Sequence, residues 1–263
     1  MNKSLFFEKG WCRFQFDETL IQWIAHALPC ARETIAAEEN AQWLRCGGTW
    51  FAGVNLLPNA ADGSVCGSDA LQGKASYFIR QVLGLDNFDW DRAQLSVCYP
   101  GYPQPMPGET EAAYGYRRDR DAAHVDGFLA EGPDRRRHLR EYHGFILGIP
   151  MVEFDAGASP FVVWEGSHEM IRTTFAEQFR GVPVEQWGEI DITGVYHQVR
   201  RKIFGLCKRV EIHARPGEAY LVHRLALHGV APWQGIASAT PDGRMICYFR
   251  PETGGPESWL LSP

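Results

Sequence analysis

Long apolar runs are missing from this chain. No stretch approaches the roughly eighteen consecutive apolar residues of a bilayer-spanning helix, so no membrane span is expected. The opening residues Met1-Asn2-Lys3-Ser4-Leu5-Phe6-Phe7-Glu8-Lys9 carry no apolar core long enough for a secretory signal. An excess of positive charge is missing too. Against 26 Lys and Arg stand 32 Asp and Glu, a formal net charge of −6. That balance lacks the basic footprint of a nucleic-acid binder. No Cys-x-x-Cys occurs, and the seven cysteines (Cys12, Cys30, Cys46, Cys66, Cys98, Cys207, Cys247) are scattered and odd in number. This pattern argues against a disulfide framework and a thiolate zinc site. The expectation is reduced, buried thiols in a cytoplasmic protein. Internal repeats, low-complexity tracts and a clear domain boundary are also lacking. The chain therefore reads as one domain over 1–263, long enough to bury a full core without staples.

What is present is helices first and short strands later. Residues 14–47 carry an apolar stripe at helical spacing through Leu20, Ile21, Trp23, Ile24, Ala27 and Leu28. Asp17 is the expected N-cap, Pro29 the expected interruption, and Gly47-Gly48 the stop. A second helix is expected over 69–83. After residue 92, strand-like segments recur at 93–99, 143–150, 161–164, 208–213, 219–223 and 244–249, with further helices after His168 and over 184–204. The expected fold is mainly β with flanking helices. It is a double-sheet, jelly-roll, cupin-like barrel over about 90–250, with a helical N-terminal part, about 14–84, packed on it. Residues 102–121 read as a long polar loop, and loops of that length in compact domains are commonly functional.

That loop leads into Ala122-Ala123-His124-Val125-Asp126-Gly127-Phe128. On a β-strand, side chains at i and i+2 share a face, so His124 and Asp126 would enter one cavity together. An imidazole with a carboxylate is two-thirds of the 2-His-1-carboxylate set that holds non-haem Fe(II) and leaves coordination positions open. With nine histidines in the chain, chance can supply such a pair, so its meaning rests on context. Downstream, Pro216-Gly217-Glu218-Ala219-Tyr220 launches a strand, and His228-Gly229 follows in a loop. A glycine beside a ligand lets the backbone approach closely and turn sharply. Arg244 then opens the last strand. A buried arginine is costly unless paired, and its planar fork suits a carboxylate arriving with a ligand.

The ordered set His124-x-Asp126, Gly166-Ser167-His168, Pro216-Gly217-Glu218-Ala219-Tyr220, His228-Gly229 and Arg244 resembles the phytanoyl-CoA dioxygenase family over roughly residues 90–250. Members are Fe(II)- and 2-oxoglutarate-dependent oxygenases on a double-stranded β-helix. The resemblance implies that His124, Asp126 and His228 bind iron and that Arg244 pairs with the distal carboxylate of 2-oxoglutarate. It implies a dioxygenase that hydroxylates a small organic substrate with dioxygen while 2-oxoglutarate is decarboxylated to succinate. Related halogenases lack the carboxylate, so Asp126 favours hydroxylation or desaturation. The family's Asn-Gly turn is replaced by Asp155-Ala156-Gly157-Ala158-Ser159-Pro160, and the loop after His228 is lengthened by 236–243. Arg250, on the same strand face as Arg244, is the alternative anchor. Arg244 is preferred as nearer His228.

Other readings compete with these. His223 rivals His228 but sits within a strand, where a core histidine is commoner. His143 could line the cavity, although a structural role is favoured, and His168 resembles a turn and helix-start residue. His26, His138, His197 and His213 carry no functional claim. Trp164, Trp233, Tyr99 and Tyr102 lie near the motifs in sequence and are candidates for substrate contact. The run Arg135-Arg136-Arg137-His138-Leu139-Arg140 reads first as a solvated face and second as a clamp for an anionic substrate. A cupin-like metalloenzyme that does not use 2-oxoglutarate and a non-catalytic binding barrel are the alternatives to the oxygenase. The substrate and the oligomeric state are not legible.

Overall fold

The structure, a computed structural model, describes residues 3–262. The outer layer forms first along the chain. Helix α1 (Lys3–Lys9) leads into strand β1 (Trp11–Phe14), and Asp17 caps helix α2 (Glu18–Ala36) by accepting from Thr19 N at 3.1 Å. Pro29 does not interrupt α2. The buried face Leu20, Trp23, Ile24, Ala27, Cys30 and Ala31 continues across it. Packing of that face outweighs the roughly 3 kcal/mol that an interior proline costs. The helix ends at Ala36, short of the expected 47. A 3₁₀ segment (Glu38–Trp43) and strands β2 (Leu44–Arg45) and β3 (Trp50–Gly53) replace its last part. The second expected helix begins late, as α3 (Lys74–Tyr77), and widens into a π-helical turn over Phe78–Val82.

Strand β4 (Gln94–Cys98) opens the barrel proper. The expected loop 102–121 contains helix α4 (Glu111–Asp119), which Thr110 caps by accepting from Ala113 N at 3.3 Å. Its helix-forming Glu-Ala-Ala run was masked by the prolines and glycines before it. Then come the hairpin β5 (Phe128–Glu131) and β6 (Arg136–Leu139), strands β7 (Phe145–Pro150) and β8 (Phe161–Trp164), and helices α5 (Ser167–Gln178) and α6 (Thr193–Leu206). Strands β9 (Arg209–Ile212), β10 (Ala219–His223), β11 (His228–Val230) and β12 (Arg244–Phe249) and helix α7 (Pro256–Leu261) complete the chain.

The strands form an antiparallel sheet in the order β1-β10-β7-β12-β4-β3-β2 and a smaller one in the order β11-β8-β9, with β5-β6 as a separate hairpin. The two larger sheets face each other around Ile146, Phe161, Val163, Tyr220, Val222, Ile246 and Tyr248. This is the expected mainly-β jelly-roll, with flanking helices. Alternation along β12 sends Met245, Cys247 and Phe249 outward, under α1 and α2, and Ile246 and Tyr248 inward.

One cysteine expectation is corrected. Cys30 on α2 and Cys66 in the following loop are joined by a disulfide. The loop folds back on α2, where Trp23 Nε1 donates to Gly63 O at 2.8 Å, and so brings together two cysteines that sequence spacing does not pair. Cys12, Cys46, Cys98, Cys207 and Cys247 are free thiols. No helix among the described residues is long and apolar enough to cross a membrane.

Candidate metal centre

His124, Asp126 and His228 come together at the seam between the short strand β11 and the segment that leaves α4. His124 and His228 form an isolated antiparallel bridge, with His124 N donating to His228 O at 2.8 Å and His228 N donating to His124 O at 3.0 Å. This differs from expectation in two ways. His124 lies in a single bridge rather than a full strand, and His228 opens a strand instead of sitting in a loop. Asp126 reaches the site from the turn at Asp126-Gly127, where Gly127 adopts φ +87° and a Cβ would lie 2.4 Å from Glu141 O.

One ligand atom from each of the three residues lies within 4.8 Å of the others, a spacing that can hold one metal ion. His124 Nε2 is 3.3 Å from Asp126 Oδ1, and His228 Nε2 is 3.8 Å from Asp126 Oδ2. Each ring is oriented by its other nitrogen. His124 Nδ1 faces Ala122 O at 2.9 Å, and His228 Nδ1 faces Ala226 O at 3.0 Å. A carbonyl can only accept, so the hydrogen-bond network puts the proton on Nδ1 and leaves Nε2 as the ligating lone pair. Phe161 stacks on His228 at 5.4 Å between centroids and 10° between planes, fixing that ring further.

Charge at the site suits a cation. Burial alone would push the Asp126 carboxyl up, but Arg250, His228 and His124 outweigh it and hold the group well below the usual carboxylate range. Burial, with His124 beside it, pulls His228 down to about 4 against the opposing pull of Asp126. At neutral pH the three residues therefore offer one carboxylate and at least one neutral, buried imidazole.

Arg244 opens β12 and Arg250 follows its last residue; their shared parity turns both toward the barrel interior, but only Arg250 lines the cavity on the triad. Arg244 is 1% exposed, and Nη2 donates to Tyr248 Oη at 3.1 Å. Tyr220 Oη donates to the same oxygen at 2.9 Å. The Tyr220 ring lies over Gly148, where a Cβ would be 2.3 Å from its Cζ. Arg244 Nε and Nη1 are buried with no hydrogen-bond partner among the described residues. Arg250 stands closer to the triad, with Nη1 donating to Asp126 Oδ2 at 3.4 Å, while its Nε is buried and unpartnered.

A cavity of about 230 Å³ opens on the three residues, with Trp50, Gln94, Ser96, Tyr248 and Arg250 in its wall. The inward-facing Gln94, Ser96 and Tyr248 were not singled out in the sequence. Strand parity counted from Arg244 would have found Tyr248. Gln94 and Ser96 needed the β4–β12 register, in which they oppose Tyr248 and Ile246.

Several other expectations fall elsewhere. His223 is buried away from the triad, its Nδ1 accepting from Leu225 N at 3.1 Å. His168 faces Phe7 O at 2.7 Å, a structural role. His143 sits beside the site as a brace, with Nδ1 donating to Arg250 O at 2.6 Å and Nε2 lying 3.0 Å from Glu141 Oε2. Burial lowers its pKa, but Glu141 and Asp126 outweigh that and raise it above the ordinary value. Trp164, Trp233, Tyr99 and Tyr102 do not line the cavity. The arginine run is not a clamp on it. Arg136 pairs with Asp191 at 3.0 Å, Arg140 with Glu131 at 2.5 Å, and Arg137 donates to Phe128 O at 2.6 Å. The β5-β6 hairpin turns these cations toward their own neighbours.

No protein-family model matches the chain, and no curated protein matches it. Solved structures similar to it include the non-heme alpha ketoglutarate dependent carbocyclase SnoK from nogalamycin biosynthesis, at 12% identity and a TM-score of 0.48, over 95% of this chain and 84% of that one. EctD from S. alaskensis with 2-oxoglutarate and 5-hydroxyectoine is similar at 13% identity and a TM-score of 0.46, over 95% and 74%. The non-heme monooxygenase ThoJ, as a Ni complex, is similar at 13% and 0.46, over 95% and 76%.

Proposed function

We propose that the protein is an Fe(II)- and 2-oxoglutarate-dependent dioxygenase of the phytanoyl-CoA dioxygenase type that hydroxylates a small organic molecule. The observation that carries this reading is the group of His124, Asp126 and His228 on one cavity, with Asp126 and His228 buried and His124 reaching in from the open side. Two imidazole nitrogens and one carboxylate are the donor set of non-haem Fe(II) oxygenases and leave positions free for a co-substrate and dioxygen. Bound iron with 2-oxoglutarate would supply dioxygen activation coupled to decarboxylation of the 2-oxo acid to succinate.

The protein's own part is to bind and orient. His124 and His228 present Nε2 because their Nδ1 protons are committed to backbone carbonyls. Asp126 stays ionised under the influence of Arg250. Arg244 supplies the co-substrate anchor. A fully buried guanidinium with two uncommitted nitrogens, Nε and Nη1, lacks the partner that such a group requires, and an arriving carboxylate can supply it. Arg250 is the weaker candidate for that role because only its Nε is buried without a partner.

Anaerobic titration of the apoprotein with Fe(II) and then 2-oxoglutarate tests the proposal. The expected outcome is one bound iron, a visible charge-transfer absorption on adding 2-oxoglutarate, and succinate formed once air is admitted. Arg244→Gln should weaken 2-oxoglutarate binding by ~2–5 kcal/mol, the usual loss for one partner of a buried charge pair, while keeping the metal. An iron-loaded protein that does not bind 2-oxoglutarate would sink the reading in favour of a metalloenzyme without that co-substrate.

A further inference from the structure

Two arginines of the same parity, one at the start of β12 and one just past its end, have buried donors that the fold leaves unused. Arg244 has Nε and Nη1 without partners, and Arg250 has Nε without one. Buried cationic donors of this kind cost stability unless something pairs with them. If Arg244 takes the co-substrate, as the reading above holds and on which this inference rests, Arg250 is left in the wall of the cavity on the triad with its own unmet valence.

We propose that Arg250 binds a carboxylate of the molecule to be oxidised, so that the primary substrate is a small carboxylic acid. The geometry around Arg250 supports this in three ways. Its guanidinium lies in the cavity wall and beside Asp126, so an anion held there sits next to the metal ligands. Its hydrogen bond to Asp126 is a single long one at 3.4 Å, and a divalent cation on Asp126 would compete for the same carboxylate and free the fork. Its backbone is clamped on both sides, with Arg250 N donating to Asp91 Oδ1 at 2.9 Å and Arg250 O accepting from His143 Nδ1 at 2.6 Å. The acids facing it are thus engaged, Asp91 with the main chain and Glu141 with His143.

Size narrows the class. A cavity of about 230 Å³ lies below the ~300–1,000 Å³ of ordinary drug-sized ligand pockets. Beside the polar Gln94, Ser96 and Tyr248 lie Val54 and Ile146, and Phe161 and Val230 supply apolar surface from the facing small sheet. That volume is shared with the co-substrate at the same centre, so what remains admits at most a short acid with a modest apolar body.

The test uses Ni(II)-loaded protein saturated with 2-oxoglutarate, so that Arg244 is occupied and no turnover occurs. The probes are 2-amino and 2-hydroxy acids of two to six carbons, each with its primary amide, followed by calorimetry and tryptophan fluorescence. Acids are expected to bind at least tenfold tighter than their amides. Arg250→Gln should bring that ratio close to one, and Arg250→Lys should restore part of it, since the charge returns without the planar fork. Melting curves and Ni(II) content of each variant verify that it is folded and loaded. Equal binding of acids and amides, an acid preference that survives Arg250→Gln, or no acid binding to protein that does bind 2-oxoglutarate would each overturn the proposal. Wild-type protein that binds acids in an Arg250-dependent way yet never binds 2-oxoglutarate would instead overturn the co-substrate assignment and leave the acid site standing.

Discussion

A Cβ on Gly229 would lie 2.1 Å from Asp121 O and 3.2 Å from Cα of Ala123. Gly229 is paired with Val162 in the β11–β8 ladder, so it cannot move away without breaking that ladder. The sequence suggested a close approach and a sharp turn here; the fold uses the close approach, while Gly229 stays in the extended β11 ladder. The segment 121–124 lies against β11 because this residue has no side chain, and that contact sets the His124–His228 bridge. Gly229→Ala should therefore act twice. Overpacking should cost about 1–3 kcal/mol in urea unfolding, and the two imidazoles should part, weakening Co(II) binding tenfold or more in a direct titration. An alanine variant that binds Co(II) as tightly as wild type would show that other contacts fix the histidine spacing. His228 and Asp126 were legible as residue types at meaningful positions. Arg250's contact with Asp126 was not, because it depends on how far one long side chain reaches across the barrel.

At the scale of elements, Asp17 joins two helices. Its Oδ1 accepts from Thr19 N at 3.1 Å, and its Oδ2 accepts from Lys74 N at 2.6 Å at the start of α3. Gly73 makes room for this, since a Cβ there would stand 2.5 Å from Asp17 Oδ2. The capping role was legible, because an Asp before an apolar helical stripe is a local pattern. The second role was not, because nothing local connects residue 17 with residue 74. The same limit explains the Cys30–Cys66 bond and the late start of α3, both of which follow from where the loop lies on α2. An ordinary cap lost to alanine costs ~0.5–2 kcal/mol. Asp17→Ala should reach the upper end of that range in chemical denaturation, and Asp17→Asn should recover only part of the loss, since its amide keeps one acceptor and sets a donor against the other backbone N–H. Equal losses for the two variants would mean that a single retained acceptor does not hold the cap.

For the whole molecule, the strand order was accessible only in outline. Short strands separated by turn signals gave the barrel, yet the large sheet gains β2 and β3 from a region that sequence composition assigned to a helical part. The site itself was more legible than its scaffold. Metal-ligand chemistry restricts residue types sharply, whereas strand pairing tolerates many. That restriction also ties the site to global stability. His124 and Asp126 precede the hairpin β5-β6, His228 belongs to the small sheet, and Arg250, which touches Asp126, follows the last strand of the large one. A metal held by the three ligands binds the folded arrangement and not the unfolded chain, so it should stabilise the fold by mass action. At free metal a hundredfold above its dissociation constant the gain is about 2.7 kcal/mol. For a chain of this size that corresponds to a rise in Tm of roughly 5–10 °C. Melting of Co(II)-loaded protein against the same protein in EDTA measures it, with His228→Ala as the control in which the difference should vanish. A shift that persists in His228→Ala would place the stabilising metal elsewhere on the protein, and no shift in wild type would mean that these three residues do not hold a metal in solution.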